Sequence, residues 1–125
     1  MRLLLDTEVV VSWSLFPERL RAETRAAIAS PDNEVFLSAT SVWDINLRIA
    51  KQKLSLPANF AARLLADGFE ELPFTIAHAA CAAQLPVLHA DPIDRLLIAQ
   101  ALTEGLMLVT NDPEIVRYDV PVMDA

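Results

Sequence analysis

Glycine, cysteine, histidine and basic residues are all scarce in this chain of 125, and each shortage closes a route. With glycine only at 68 and 105, no Gly-rich loop is available to cradle a phosphate. Cys81 stands alone within Ala79–Ala83, so it can form no internal disulfide and is expected to be a small core residue. His78 and His89 are isolated and lack metal-ligand spacing, which predicts ordinary surface or satisfied core roles. With the scattered serines they make no nucleophilic triad. No apolar run approaches the roughly 18 residues of a membrane span, and Met1–Asp6 is too short for a signal peptide. The expectation is a cytoplasmic protein with no membrane association. Ten basic residues against seventeen acids give a net charge of −7, which argues against the basic face of a classical nucleic-acid binder. A nuclease stays open, because part of that negative charge can sit in a metal site and be neutralised there.

What the chain does hold is apolar: 54% of residues are hydrophobic and the mean hydropathy is +0.34. That predicts one domain over residues 1–125, with excess apolar surface left to meet a partner or a second copy. Arg2–Leu5 reads as a strand ending at Asp6, followed by a short helix after Thr7 despite the β-branched run Val9–Val11. Pro17 opens a second helix to about Ser30, with Leu20, Thr24, Ala27 and Ile28 inward. A strand over Glu34–Leu37 leads to a helix through Ala50, where Ser41 and Asp44 have the spacing of a capping box. Trp43, Ile45, Leu47 and Ile49 are its core candidates. A helix from about Asn59 to Gly68, a weak strand at Glu70–Phe74 and a Thr75-capped helix over 76–84 follow. The most apolar helix then runs from Pro92 to Glu104 and stops at Gly105. Leu106–Val109 suits a strand buried on both faces, and Val120–Met123 an edge strand. Strands alternating with helices imply an α/β fold with a parallel sheet.

Ligands in such sheets bind at the carboxyl ends of strands. Asp6 ends the first strand, Asp112 follows the Leu106–Val109 strand, and Asp44 and Asp94 start helices, so all four acids are able to face one rim. Each also has a plain structural reading. Asp91 is a good N-cap before Pro92, Asp94 at N3 favours the helix dipole, and Asp44 has Arg48 four residues on. Asp6 and Asp112 are the least well explained by structure alone. Carboxylates gathered at one point repel by roughly 4 kcal/mol per close pair at an effective dielectric of about 20. Such a cluster calls for a cation, and the oxygen-preferring Mg²⁺ or Mn²⁺ suits it. Thr7, Glu8 and Asn111 are candidates for the surrounding polar groups, and Arg48 and Lys51 for a basic flank that guides a phosphate backbone.

Leu4–Thr7, Ser41–Ile45, Lys53–Pro57, Asp91–Ala101 (Asp-Pro-Ile-Asp-Arg-Leu-Leu-Ile-Ala-Gln-Ala) and Leu108–Asp112 together resemble the PIN-domain toxins, the VapC-type ribonucleases of type II toxin–antitoxin pairs. The resemblance runs nearly end to end in the same order. It implies a three-layer α/β/α domain with a short, mostly parallel central sheet. It also implies that Asp6, Asp44, Asp94 and Asp112 are the catalytic, metal-binding acids of a Mg²⁺- or Mn²⁺-dependent endonuclease cutting RNA to leave a 5′-phosphate. A homodimer and a cognate antitoxin packed on the acidic groove are implied as partners. Three residues depart from the family pattern. Asp44 replaces the usual Glu and is one methylene shorter, Glu8 stands where His or Asn is frequent, and Gln52 replaces a frequent Gly. Two rivals are a catalytically weak PIN fold that only binds, and a phosphotransfer domain with Asp6 as acceptor. The second lacks a lysine at a strand end.

Overall fold

The computed structural model describes residues 1–125. Five strands form one all-parallel sheet in the order β3-β2-β1-β4-β5: β1 Arg2–Leu5, β2 Glu34–Ser38, β3 Glu70–Leu72, β4 Met107–Thr110 and β5 Val122–Asp124. Six helices cover it: α1 Thr7–Leu15, α2 Ala22–Ala29, α3 Ala39–Ala50, α4 Phe60–Ala66, α5 Ile76–Gln84 and α6 Pro92–Glu104. No helix is long and apolar enough to cross a membrane.

Alternation along β1 divides the core. Leu3 and Leu5 point into an apolar cluster with Val9 and Val10 of α1, Ile28 of α2, Ile45 of α3 and Phe60 and Leu64 of α4. Leu4 points the other way, into a cluster with Leu97 and Ile98 of α6, Leu108, Ile115 and Tyr118. All three leucines are fully buried, as a central strand between two helical layers requires. The layering also explains why Val9–Val11 are helical against their β propensity. Asp6 caps the helix, and burial of the valines on β1 outweighs the few tenths of a kcal/mol of intrinsic preference per residue.

Several expectations need correction. The segment after Pro17 is a single 3₁₀ turn, Pro17–Arg19, and α2 begins only at Ala22, because Leu20 turns extended to reach the core. The N-cap of α3 is Ser38, whose Oγ accepts from the N–H of Thr40 at 3.0 Å. Ser41 lies inside the helix, buried, at 3.3 Å from the Thr7 hydroxyl, so no Ser41–Asp44 capping box forms. Trp43 is 59% exposed and leaves the core to Ile45. Cys81 is only half-buried. Thr75 caps α5 as expected, and His78 completes a capping box: its N–H donates to Thr75 Oγ1 and its Nδ1 accepts from the Thr75 N–H at 3.0 Å. His78 is thus a satisfied core residue.

Sheet order places the functional face. From β1 the chain steps outward to β2 and β3, then returns to add β4 on the other side of β1 and β5 beyond it. The direction of winding therefore reverses at β1 and β4, and a crevice opens at their carboxyl ends. The chain after β1 begins with Asp6, and the chain after β4 with Asn111-Asp112.

Candidate functional site

A cleft of about 370 Å³ lies at that crevice, and none of its lining residues is hydrophobic. Asp6, Glu8, Asp91, Asp94 and Asp112 contribute carboxylates, and Arg48 is the one basic side chain among the lining residues. Thr7, Asn111 and Pro113 complete the wall.

Each acid is delivered by a local device. Asp6 is the N-cap of α1: its Oδ1 accepts from the N–H of Val9 at 3.0 Å. Its Oδ2 accepts a short hydrogen bond from the Thr110 hydroxyl on β4. The same Thr110 oxygen accepts from the N–H of Asp112 at 3.0 Å, so one buried threonine links the acids after β1 and β4. Asp112 Oδ1 accepts from the N–H of Glu114 at 2.9 Å. Asp91 caps α6 through the N–H of Ile93 at 2.9 Å, which places Asp94 in the first turn, facing the cleft.

The charges strain against each other. Burial pushes the Asp6 carboxyl above its ordinary range, with the charges of Glu8 and Asp112 adding to it, against the bonds from Thr110 and Val9. Burial, then the charges of Asp91 and Asp6, push Asp94 up to about 7, while His89 pulls the other way. Asp112 lies below the usual carboxylate range: burial raises it, but the Glu114 N–H and His89 outweigh that. The lining acids, five against the single Arg48, offer oxygen donors, which suit a hard divalent cation better than a soft one.

Asp6, Asp94 and Asp112 are brought to this one cleft, and the fourth expected acid is not. Asp44 is absent from the lining; its Oδ2 accepts from Arg48 Nη2 at 3.1 Å, and its side chain is 14% exposed. Arg48 also donates through Nη1 to Glu8. The i,i+4 spacing on α3 makes the first of these pairs, and the packing of α1 against α3 makes the second.

His89 and Thr110 are the residues the sequence reading left out. His89 was expected to be an ordinary histidine, yet its Nε2 stands 2.9 Å from Asp94 Oδ2 and 3.1 Å from Asp112 Oδ2. One ligand atom from each of the three lies within 4.8 Å of the others. Burial lowers the imidazole pKa, but the bond to Asp112 and the charges of Asp94, Asp112 and Asp91 carry it above the ordinary value. The signal for Thr110 was its place at the end of β4, two residues before Asp112.

The PIN domain family model matches residues 3–121. Ribonuclease VapC22 of Mycobacterium tuberculosis is 33% identical over 112 residues, spanning 87% of this chain and 85% of that protein. FitAcB of Neisseria gonorrhoeae superposes with a TM-score of 0.68 at 28% identity, covering 98% of this chain and 96% of that one. VapBC2 of Rickettsia felis, solved bound to a promoter DNA fragment, superposes with a TM-score of 0.77 at 17% identity, covering 98% of both chains. That last likeness is one of fold.

Proposed function

This chain belongs to the PIN-domain family, and on that premise we propose that it is a metal-dependent RNA endonuclease, the toxin of a toxin–antitoxin pair. The observation that carries the reading is the convergence of Asp6, Asp94 and Asp112 in a cleft without a hydrophobic lining residue, at the switch point of the sheet. Asp94 and Asp112, with Asp6 beside them, would hold Mg²⁺ or Mn²⁺. A cation bound there supplies positive charge for the phosphate oxygens and lowers the pKa of the attacking water. The chain's own residues do the arranging. Thr110 fixes Asp6 relative to Asp112, the α1 and α6 N-termini add partial positive charge near the acids, and Arg48 offers a guanidinium to the RNA backbone. Asp44 enters this scheme through Arg48, which it holds in place with Glu8.

The partners follow from the same reading. An antitoxin segment reaching this groove would bring an Arg or Lys to the acids, where a cation can substitute for the metal. Exposed apolar side chains such as Ile76 and Val87, 89% and 86% exposed, favour a homodimer.

The test is RNA cleavage by antitoxin-free protein with Mg²⁺ or Mn²⁺, against Asp94→Asn and against chelator. Cleavage in wild type alone is expected, with a loss of at least about 100-fold in Asp94→Asn, the scale of losing a main stabiliser of transition-state charge. Asp44→Asn separates the two places for the fourth acid. A position on Arg48 predicts a several-fold loss, which Asp44→Glu restores; a place on the metal predicts a loss like that of Asp94→Asn. Stable RNA binding without cleavage under every condition would instead favour a PIN fold that only binds.

A further inference from the structure

The connection between α5 and α6 carries no regular structure, yet its backbone is held at several points. Arg95 donates through Nη1 to the carbonyl of Pro86 at 2.8 Å and through Nη2 to that of Leu85 at 3.2 Å. The Tyr118 hydroxyl accepts from the N–H groups of Leu88 and His89 at 3.1 and 3.0 Å. Arg117 donates to the carbonyl of Leu88 at 2.9 Å. Linking two helices needs none of this. The bracing fixes the place of His89, beside Leu85 and Leu88, which pack on the core.

The imidazole is oriented as well as placed. Its Nδ1 accepts from the N–H of Asp91 at 3.2 Å, which leaves the ring proton on Nε2. Nε2 is the atom facing Asp112 Oδ2 and Asp94 Oδ2. A histidine that ligates a metal presents a bare nitrogen, and here the bare nitrogen faces the backbone. His89 therefore meets the acids as a hydrogen-bond donor. With Oδ1 bound by the Glu114 N–H and Oδ2 by His89, the Asp112 carboxylate is fixed in one orientation. Each of its oxygens still has a second lone pair.

We propose that His89 is a positioning residue of the metal site, whose Nε2–H holds the carboxylate of Asp112 beside that of Asp94 in the arrangement that receives a divalent cation. The inference rests on the metal-dependent reading above. Groups that hydrogen-bond to metal ligands typically contribute about 10- to 100-fold in metal affinity, and that is the loss expected on removing this one.

Titration of metal-stripped protein with Mn²⁺, followed by the electron paramagnetic resonance of the free ion, tests it without reference to activity. Wild type should bind Mn²⁺ and Asp94→Asn should not. His89→Ala should bind about 10- to 100-fold more weakly, and His89→Gln should recover most of the loss, because its amide N–H reaches the same place. Binding by His89→Ala that equals or exceeds wild type would overturn the proposal, as would His89→Gln as weak as His89→Ala. A nitrogen coupled directly to bound Mn²⁺ in wild type and missing in His89→Ala would make His89 a ligand, which also overturns it. Failure of wild type to bind Mn²⁺, or binding unchanged in Asp94→Asn, would remove the metal reading itself and the proposal with it.

Discussion

Asp94 is the side chain whose ionisation the fold resists most openly. Its carboxyl is pushed up to about 7 by burial and by the charges of Asp91 and Asp6, so between its unfolded value and 7 the native state holds a proton that the unfolded chain releases. A raised pKa of this kind contributes stability that is fully present below the unfolded value and is lost as pH rises through the folded one. Asp112, lowered, acts only in acid, where its contribution is lost as pH falls. Metal-free protein should therefore unfold at lower denaturant at pH 8 than at pH 5.5, and saturating Mg²⁺ should narrow the gap. Midpoints in chelator that do not fall between those two pH values would contradict the burial and crowding assigned to Asp94. The acids after β1 and β4 and at the start of α6 were legible in the sequence, since strand ends and helix caps announce themselves locally. For Asp44 the sequence offered two partners, Arg48 and a metal, and only the packing of α1 on α3 shows the guanidinium wedged between Glu8 and Asp44. His89 was illegible because its partners lie five and twenty-three residues away, joined to it only by the fold.

Helix ends show how a departure from a family pattern can be absorbed. Gln52, where the family often has Gly, takes φ 59°, in the left-handed region. The reason is the end of α3: the N–H of Lys53 donates to the carbonyl of Arg48 at 2.9 Å, and the N–H of Gln52 to that of Ile49 at 3.0 Å. That is a Schellman turn, which wants glycine at the left-handed position. A side chain there costs about 1–2 kcal/mol, of which glycine's greater freedom when unfolded gives back about 0.5–1. Gln52→Gly should therefore stabilise by about 0.5–1 kcal/mol, a few degrees in Tm for a chain of this size. An unchanged or lower Tm would show that the Gln52 side chain makes a compensating contact. Most elements were foreseeable because their caps are sequential, as with Asp91 and Gly105 on α6. The start of α3 was misread because Ser38 and Ser41 are equally good caps by type. The choice falls to Ser38 because its oxygen also meets the buried Gln100 of α6, sixty-two residues further on and invisible to any local pattern.

At the scale of the whole molecule, apolar side chains such as Trp43, Ile76 and Val87 are exposed, while no hydrophobic residue lines the cleft. Light scattering at tens of micromolar, about the range in which dimers of −6 to −7 kcal/mol assemble, should return twice the chain mass of 13.8 kDa. A clean monomer at that concentration would argue against a homodimer. The strand order has one more consequence, and it concerns time. β1 sits at the centre of the sheet, yet its partner on the cleft side is β4, with Leu3 paired to Met107. Pairings so distant along the chain are late events in folding. During synthesis at about 5–20 residues per second, Asp6 waits roughly 5 to 20 s before Thr110 and Asp112 exist. A nascent chain therefore carries no assembled cleft, and whatever restrains this protein needs to meet only the finished molecule.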